Sequence, residues 1–109
     1  MKKAERIKKK YEFDHFINHT KAIKNPYFLI HYNPKKEAIT RFGIAVGTKI
    51  GNAVIRNKFK RRIREIIHAE INLFPKELDY IIMVRKAALA LDYTQMKESL
   101  IDLIKQVKK

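Results

Sequence analysis

The sequence predicts an α+β sandwich: a single domain in which helices pack on a mixed sheet. Three observations lead there. Residues 52–74 and 92–107 repeat apolar side chains at helical spacing. Three short runs rich in β-branched and aromatic residues, 27–32, 38–46 and 78–85, are interleaved with them. The chain has 109 residues, enough for one core that buries roughly 65% of the unfolded surface.

Taken in order, residues 10–19 (KYEFDHFINH) place Phe13, Phe16 and Ile17 at i, i+3 and i+4, a short amphipathic helix. Glu12 and Asp14 suit the positive end of its dipole. Asn25-Pro26 then introduces a strand from Tyr27 to Tyr32, and Asn33-Pro34 ends it. Ala38 to Val46 reads as a second strand, joined to the first by a hairpin loop over Asn33–Glu37. A turn at Gly47–Gly51 leads into a helix from about Asn52 to Phe74, which Pro75 stops. Leu78 to Arg85 is apolar enough to be a central strand. Asp92 and Gln95 form a capping box before a last helix carrying Met96, Leu100, Leu103, Ile104 and Val107 on one face.

Charge is the next clue. The net charge is +14, and 12 of the 25 Lys and Arg residues lie in two blocks, residues 1–10 and 56–64. Clustering of that kind is an electrostatic footprint for a polyanion. In the segment GNAVIRNKFKRRIREII, Ile55, Phe59, Ile63, Ile66 and Ile67 share one apolar face at about 100° per residue. Arg56, Lys60 and Arg64 fall at i, i+4 and i+8, with Asn57 and Arg61 in the next row. A solvated helix face ordinarily pairs opposite signs at i, i+4, and this flank has no acid. Arg grips phosphate through two parallel hydrogen bonds and Lys supplies a point charge. Lys49, in the loop before the helix, adds a cation near an amide-rich helix start.

Other chemistries fit less well. Gly47 and Gly51 do not form a nucleotide-binding loop, because Gly51 is followed by Asn52-Ala53 rather than Lys-Ser or Lys-Thr. His15 and His19 have i, i+4 metal spacing but no third ligand in sequence. No Ser-His-Asp arrangement or paired-carboxylate site points to a protein-borne active site. The chain has no cysteine, no signal-peptide pattern and no run near the ~20 apolar residues of a membrane span. These features lead us to expect a soluble, cytoplasmic protein with no membrane partner. Most of the aromatics Phe13, Phe16, Tyr27, Phe28 and Tyr32 read as core, with one or two at a helix–sheet edge able to stack on unpaired bases.

The order of residues then carries a resemblance. G-N-A-V-I-R-N-K-F-K-R-R-I-R-E is similar to the RNR helix of the bacterial ribonuclease P protein subunit. R-I-K-K-x-x-E-F at Arg6–Phe13, N-x-x-F at Asn25–Phe28, R-x-G-I-x-V at Arg41–Val46 and D-Y-I-I at Asp79–Ile82 extend it over nearly the whole chain. The resemblance implies the fold of domain two of a small-subunit ribosomal protein, with a left-handed βαβ crossover. It implies one domain over 1–109, residues 1–9 being a basic segment expected to be flexible before RNA binds. It implies a protein subunit that binds a catalytic RNA and the 5′ leader of precursor tRNA. The RNA, with Mg²⁺ held mainly by RNA and substrate, would cleave the leader to give the mature tRNA 5′ end.

On that basis Arg56, Asn57, Lys60, Arg61 and Arg64, with Lys49 before them, are expected to contact RNA. Phe13, Phe16, Ile17 and His31 are expected to line the leader cleft. No catalytic and no metal-ligating residue is expected on this chain. Three positions depart from the family pattern. Lys58 stands where Arg is common, which keeps the charge but not the bidentate fork. Thr48 stands where Lys is common. His31 stands where Tyr is common and makes pH-sensitive leader binding an expectation. The alternative is a ribosomal or other structural RNA-binding protein without a processing role. A DNA-binding helix-turn-helix fits less well, because the basic helix lies between strands with no companion helix before it, so no DNA partner is expected.

Overall fold

A computed structural model describes residues 21–35 and 38–107. The expected helix at 10–19 and the basic segment 1–9 lie outside the described residues. Four strands are present: β1 (Lys21–Lys24), β2 (Phe28–Pro34), β3 (Phe42–Ala45) and β4 (Leu78–Val84). Two helices, α1 (Ala53–Ala69) and α2 (Tyr93–Ile104), accompany them among the described residues. The sheet order is β1-β2-β4-β3, with β4 antiparallel to β2 and parallel to β3. It is a mixed sheet in an α+β domain, as expected.

Two expectations are corrected. The strands at 27–32 and 38–46 do not form a hairpin, because β4 lies between them. The reason is burial: six of the seven residues of β4 are buried, so it gains most with a neighbour on each side. The sequence pattern also passes over β1, whose KAIK is mostly exposed. It pairs only with β2, and edge lysines of this kind discourage pairing with another chain.

The strand register sorts side chains onto two faces. Phe28, Ile30 and Tyr32 of β2, Phe42 of β3, and Tyr80 and Ile82 of β4 face the helices. They meet Phe59, Ile63, Ile66 and Ile67 of α1 and Met96, Leu100, Leu103 and Ile104 of α2 in one core. Phe28 and Tyr32 are therefore core aromatics, and Tyr27 packs against the same cluster. Ile55 is a correction: it is 36% exposed and outside the core, and its side chain lies against Gly51 of the preceding loop instead. The opposite sheet face carries Leu29 and His31, Asp79, Ile81 and Met83, and Ala45.

Local contacts fix the ends of the elements. Helix α1 stops at Ala69, five residues before the expected Phe74. A 3₁₀ turn, Ile71–Leu73, carries the chain to Phe74, whose ring meets Phe42 edge-on at 5.4 Å and Tyr80 at 5.5 Å. The Tyr80 hydroxyl donates to the Pro75 carbonyl at 2.7 Å, which ties this turn back to β4. The capping box of α2 is present as expected, with Asp92 accepting from the Gln95 N–H at 2.8 Å and Gln95 accepting from the Asp92 N–H at 3.0 Å.

Asn25 is explained by the same kind of contact. Its Oδ1 accepts from the N–H groups of Tyr27 and Phe28 at 2.9 and 2.8 Å, and its Nδ2 donates to Ser99 Oγ at 2.8 Å. The residue thus shapes the β1–β2 turn and staples it to α2. The Asn of N-x-x-F is a structural residue in this chain.

Candidate RNA-binding surface

The basic surface is built outward from one glycine. Gly51 has φ +158°, and a Cβ there would come within 3.0 Å of Ile55 Cδ1. Glycine alone lets the loop lie this close to the helix it precedes. Asn52 then caps α1, its Oδ1 accepting from the Ile55 N–H at 3.1 Å. Before it, Thr48–Ile50 forms a 3₁₀ turn whose Ile50 is buried and whose Lys49 is exposed. The buried Ile50 anchors the loop, so Lys49 is presented beside α1 by a fixed backbone.

Along α1 the four buried residues Phe59, Ile63, Ile66 and Ile67 set the rotation of the helix. That rotation leaves Asn57 and Arg61 exposed, and Arg56, Lys60 and Arg64 half-buried along the flank nearer the sheet. The Nε of Arg56 is buried and makes no hydrogen bond among the described residues. No Asp or Glu occurs between Glu37 and Glu65, so the whole loop and flank carry one sign.

A groove of about 640 Å³ opens at the carboxyl ends of the parallel strands β3 and β4. Its walls include Lys49 from the loop, Lys60 from α1 and Lys86 from the 3₁₀ turn after β4, over an apolar floor that includes Val46 and Met83. The carboxyl ends of parallel strands are where open α/β sheets commonly place ligands. Three lysines beside apolar surface suit the phosphodiester backbone of a nucleic-acid strand. The sequence reading includes Lys49 and Lys60 but misses Lys86. Lys86 is 26 positions beyond Lys60, and only the tertiary fold unites them.

His31 lies on the sheet face away from the helices, in register with Ile81. The adjacent row on that face, Leu29, Met83 and Ala45, reaches the groove through Met83 and Ala45. The groove thus joins the basic flank of α1 to the edge of this sheet face, and the row of His31 and Ile81 behind it is buried. Phe13, Phe16 and Ile17, the other expected cleft residues, lie outside the described residues. Thr48 also lines the groove, where it supplies a hydroxyl and no charge.

His31 is 9% exposed, and its burial lowers the imidazole pKa from 6.5. The ring is therefore neutral at neutral pH. Below pH 6.5 the unfolded chain takes up a proton that the folded chain resists. Stability therefore falls as pH drops from 6.5 toward the lowered folded value, and this contribution is flat above 6.5. We expect the urea midpoint of the parent protein to fall more steeply than that of His31→Phe between about pH 6.5 and 5.5, with the two parallel at higher pH. Equal slopes below pH 6.5 would show that His31 contributes no such linkage.

An α+β fold with a one-signed helix flank and a lysine-rimmed groove defines a class of protein suited to a polyanion such as nucleic acid. Comparison with known proteins makes the class specific. The family model described as Ribonuclease P matches residues 1–108. The ribonuclease P protein component of Mycoplasma mycoides is 48% identical over 109 residues, covering 99% of this chain and 100% of that protein. That of Listeria monocytogenes is 41% identical over 107 residues, covering 96% of this chain and 89% of that protein. Among solved structures, the RNase P protein from Thermotoga maritima superimposes with a TM-score of 0.87 at 29% identity, covering 96% of this chain and 99% of that one. The Staphylococcus aureus RNase P protein gives a TM-score of 0.86 at 35% identity, covering 94% of each. The chain belongs to the ribonuclease P protein component family, and a role in tRNA processing as part of a ribonucleoprotein follows from that membership. Among the described residues no helix is long and apolar enough to cross a membrane.

Proposed function

We propose that this chain is the RNA-binding subunit of a ribonuclease P holoenzyme. It holds the catalytic RNA along the α1 flank and takes the 5′ leader of precursor tRNA across the adjoining sheet face. The RNA performs the cleavage that yields the mature 5′ end. The observation that carries this reading is the continuity of two surfaces, the unbroken basic flank and the groove that joins it to the sheet. A duplex-binding helix alone would need only the first.

In this proposal Arg56, Lys60, Arg61 and Arg64 neutralise phosphates of the structured RNA, with Asn57 as a neutral hydrogen-bonding partner between them. Lys49 and Lys60, where flank and groove meet, also serve the structured RNA, and Lys86 neutralises a phosphate of the strand that enters the groove. Holding the leader there raises the fraction of substrate bound in the productive register, which is a binding and positioning effect. In this reading Mg²⁺ is held by the RNA and the substrate. The work of the protein is thus charge neutralisation and alignment, which lowers the Mg²⁺ concentration that the RNA needs. The cytoplasm, where tRNA precursors are made, is the proposed location.

The test is a cleavage assay with a bacterial ribonuclease P RNA and precursor tRNA at low Mg²⁺. Adding the protein should raise the cleavage rate, and more for a substrate with a leader of several nucleotides than for one with a single nucleotide. Absence of stimulation would remove the processing role and leave a structural RNA-binding protein.

A further inference from the structure

The first turn of α1 places an aliphatic side chain in the middle of the basic surface. Val54 is 76% exposed, the most exposed large hydrophobic residue described. Its helical neighbours at i+3, i+4 and i+7 are Asn57, Lys58 and Arg61, all exposed. Val54 therefore heads an outward row that is otherwise an amide and two cations. A single exposed valine ordinarily needs no explanation. This one differs because the structure holds it firmly. The Asn52 cap fixes the turn at the Ile55 N–H, and Ile55 packs on Gly51. Valine is also held close to one rotamer on a helix. A contact made by Val54 would thus lose little conformational entropy.

We propose that Val54 packs against the face of an unpaired base of the RNA bound along α1, an inference that rests on the function proposed above. The charge around it selects this occupant. A second copy of the chain would bring Lys58 and Arg61 against their own like-charged counterparts. A polyanion satisfies those two cations while covering the valine. Within RNA, a paired helix hides its base faces, so only an unstacked nucleotide offers a flat apolar surface beside phosphates. The contact adds an increment to affinity that salt does not screen, whereas the surrounding cations contribute through counterion release.

Salt titration separates the two contributions. Affinity for a bacterial ribonuclease P RNA transcript and for a fully paired RNA duplex is measured for the parent, Val54→Ser, Val54→Ala and Val54→Ile. Val54→Ser and Val54→Ala should each bind the transcript about three- to tenfold more weakly at every salt concentration, as expected for losing part of a valine-sized apolar contact. The slope of log affinity against log salt should stay unchanged, Val54→Ile should retain affinity, and duplex binding should not respond. Because the side chain is exposed and alanine is the better helix former, Val54→Ala should melt no lower than the parent. Unchanged transcript affinity, an equal loss on the duplex, or a changed slope would each overturn the proposal. If the parent itself failed to bind the transcript, the underlying function would fall instead.

Discussion

Replacing Lys49, Lys60 and Arg61 together by alanine is expected to weaken binding to the ribonuclease P RNA by on the order of a hundredfold near physiological salt, while the fold survives. The three cations come from a loop and two rows of one helix, and two of them border the groove. If each neutralises one phosphate, the slope of log affinity against log salt falls by about three units. The loss should therefore be largest at low salt and shrink as salt rises. Because Lys49 and Arg61 are exposed and Lys60 is half-buried, a thermal melt should move little. An unchanged slope would show that these residues do not face RNA. A lost melt with an unchanged slope would mark them as structural.

Asp79→Ala should give the largest stability loss of any single charge removal. Asp79 is 1% exposed and accepts the Arg41 N–H at 2.8 Å, with the Arg41 guanidinium 3.5 Å from its second oxygen. This carboxylate joins the entry of β3 to β4, its parallel partner. Removing one member of a buried pair costs about 3 kcal/mol, because the other partner is left in a poorly solvated place. For a domain of this size that is roughly a 12–20 °C fall in melting temperature. Asp79→Asn keeps an acceptor for the Arg41 N–H and should cost distinctly less. Equal melts for Asp79→Ala and the parent would mean the pair contributes nothing net.

Asp79 also shows what a motif can hide. In D-Y-I-I it reads as part of a family pattern, and the structure gives it a structural task. Asn25 is similar. Its position in N-x-x-F draws attention, and its bonds to Tyr27, Phe28 and Ser99 account for it as a turn former and staple.

Local signals read well from sequence wherever the interaction is local. The capping box of α2 spans four residues, and the apolar stripe of α1 spans a few turns, so both are legible without coordinates. The charge pattern is equally legible, because a helix puts residues three and four apart on one flank whatever surrounds it. The order of strands is not local. Adjacent strands in sequence suggested a hairpin, but burying β4 on both faces decided that β2 and β3 should flank it. Ile55 fits the core period and still lies outside the core, since period says which side a residue faces and not where the sheet ends.

The sequence by itself determined that this is a basic α+β protein with a one-signed helix flank suited to a polyanion, and its residue order resembles one family along nearly the whole chain. Helical periodicity and unpaired charge suffice for the first, because both are properties of neighbouring residues. Only the tertiary structure decided that Lys86 joins Lys49 and Lys60 at a groove, that this groove meets the sheet at Ala45 and Met83, and that Val54 stands outward among the cations. These juxtapositions depend on which strand lies at the centre and how the helix is turned against the sheet. Burial of the whole core sets both, and no window of sequence contains it.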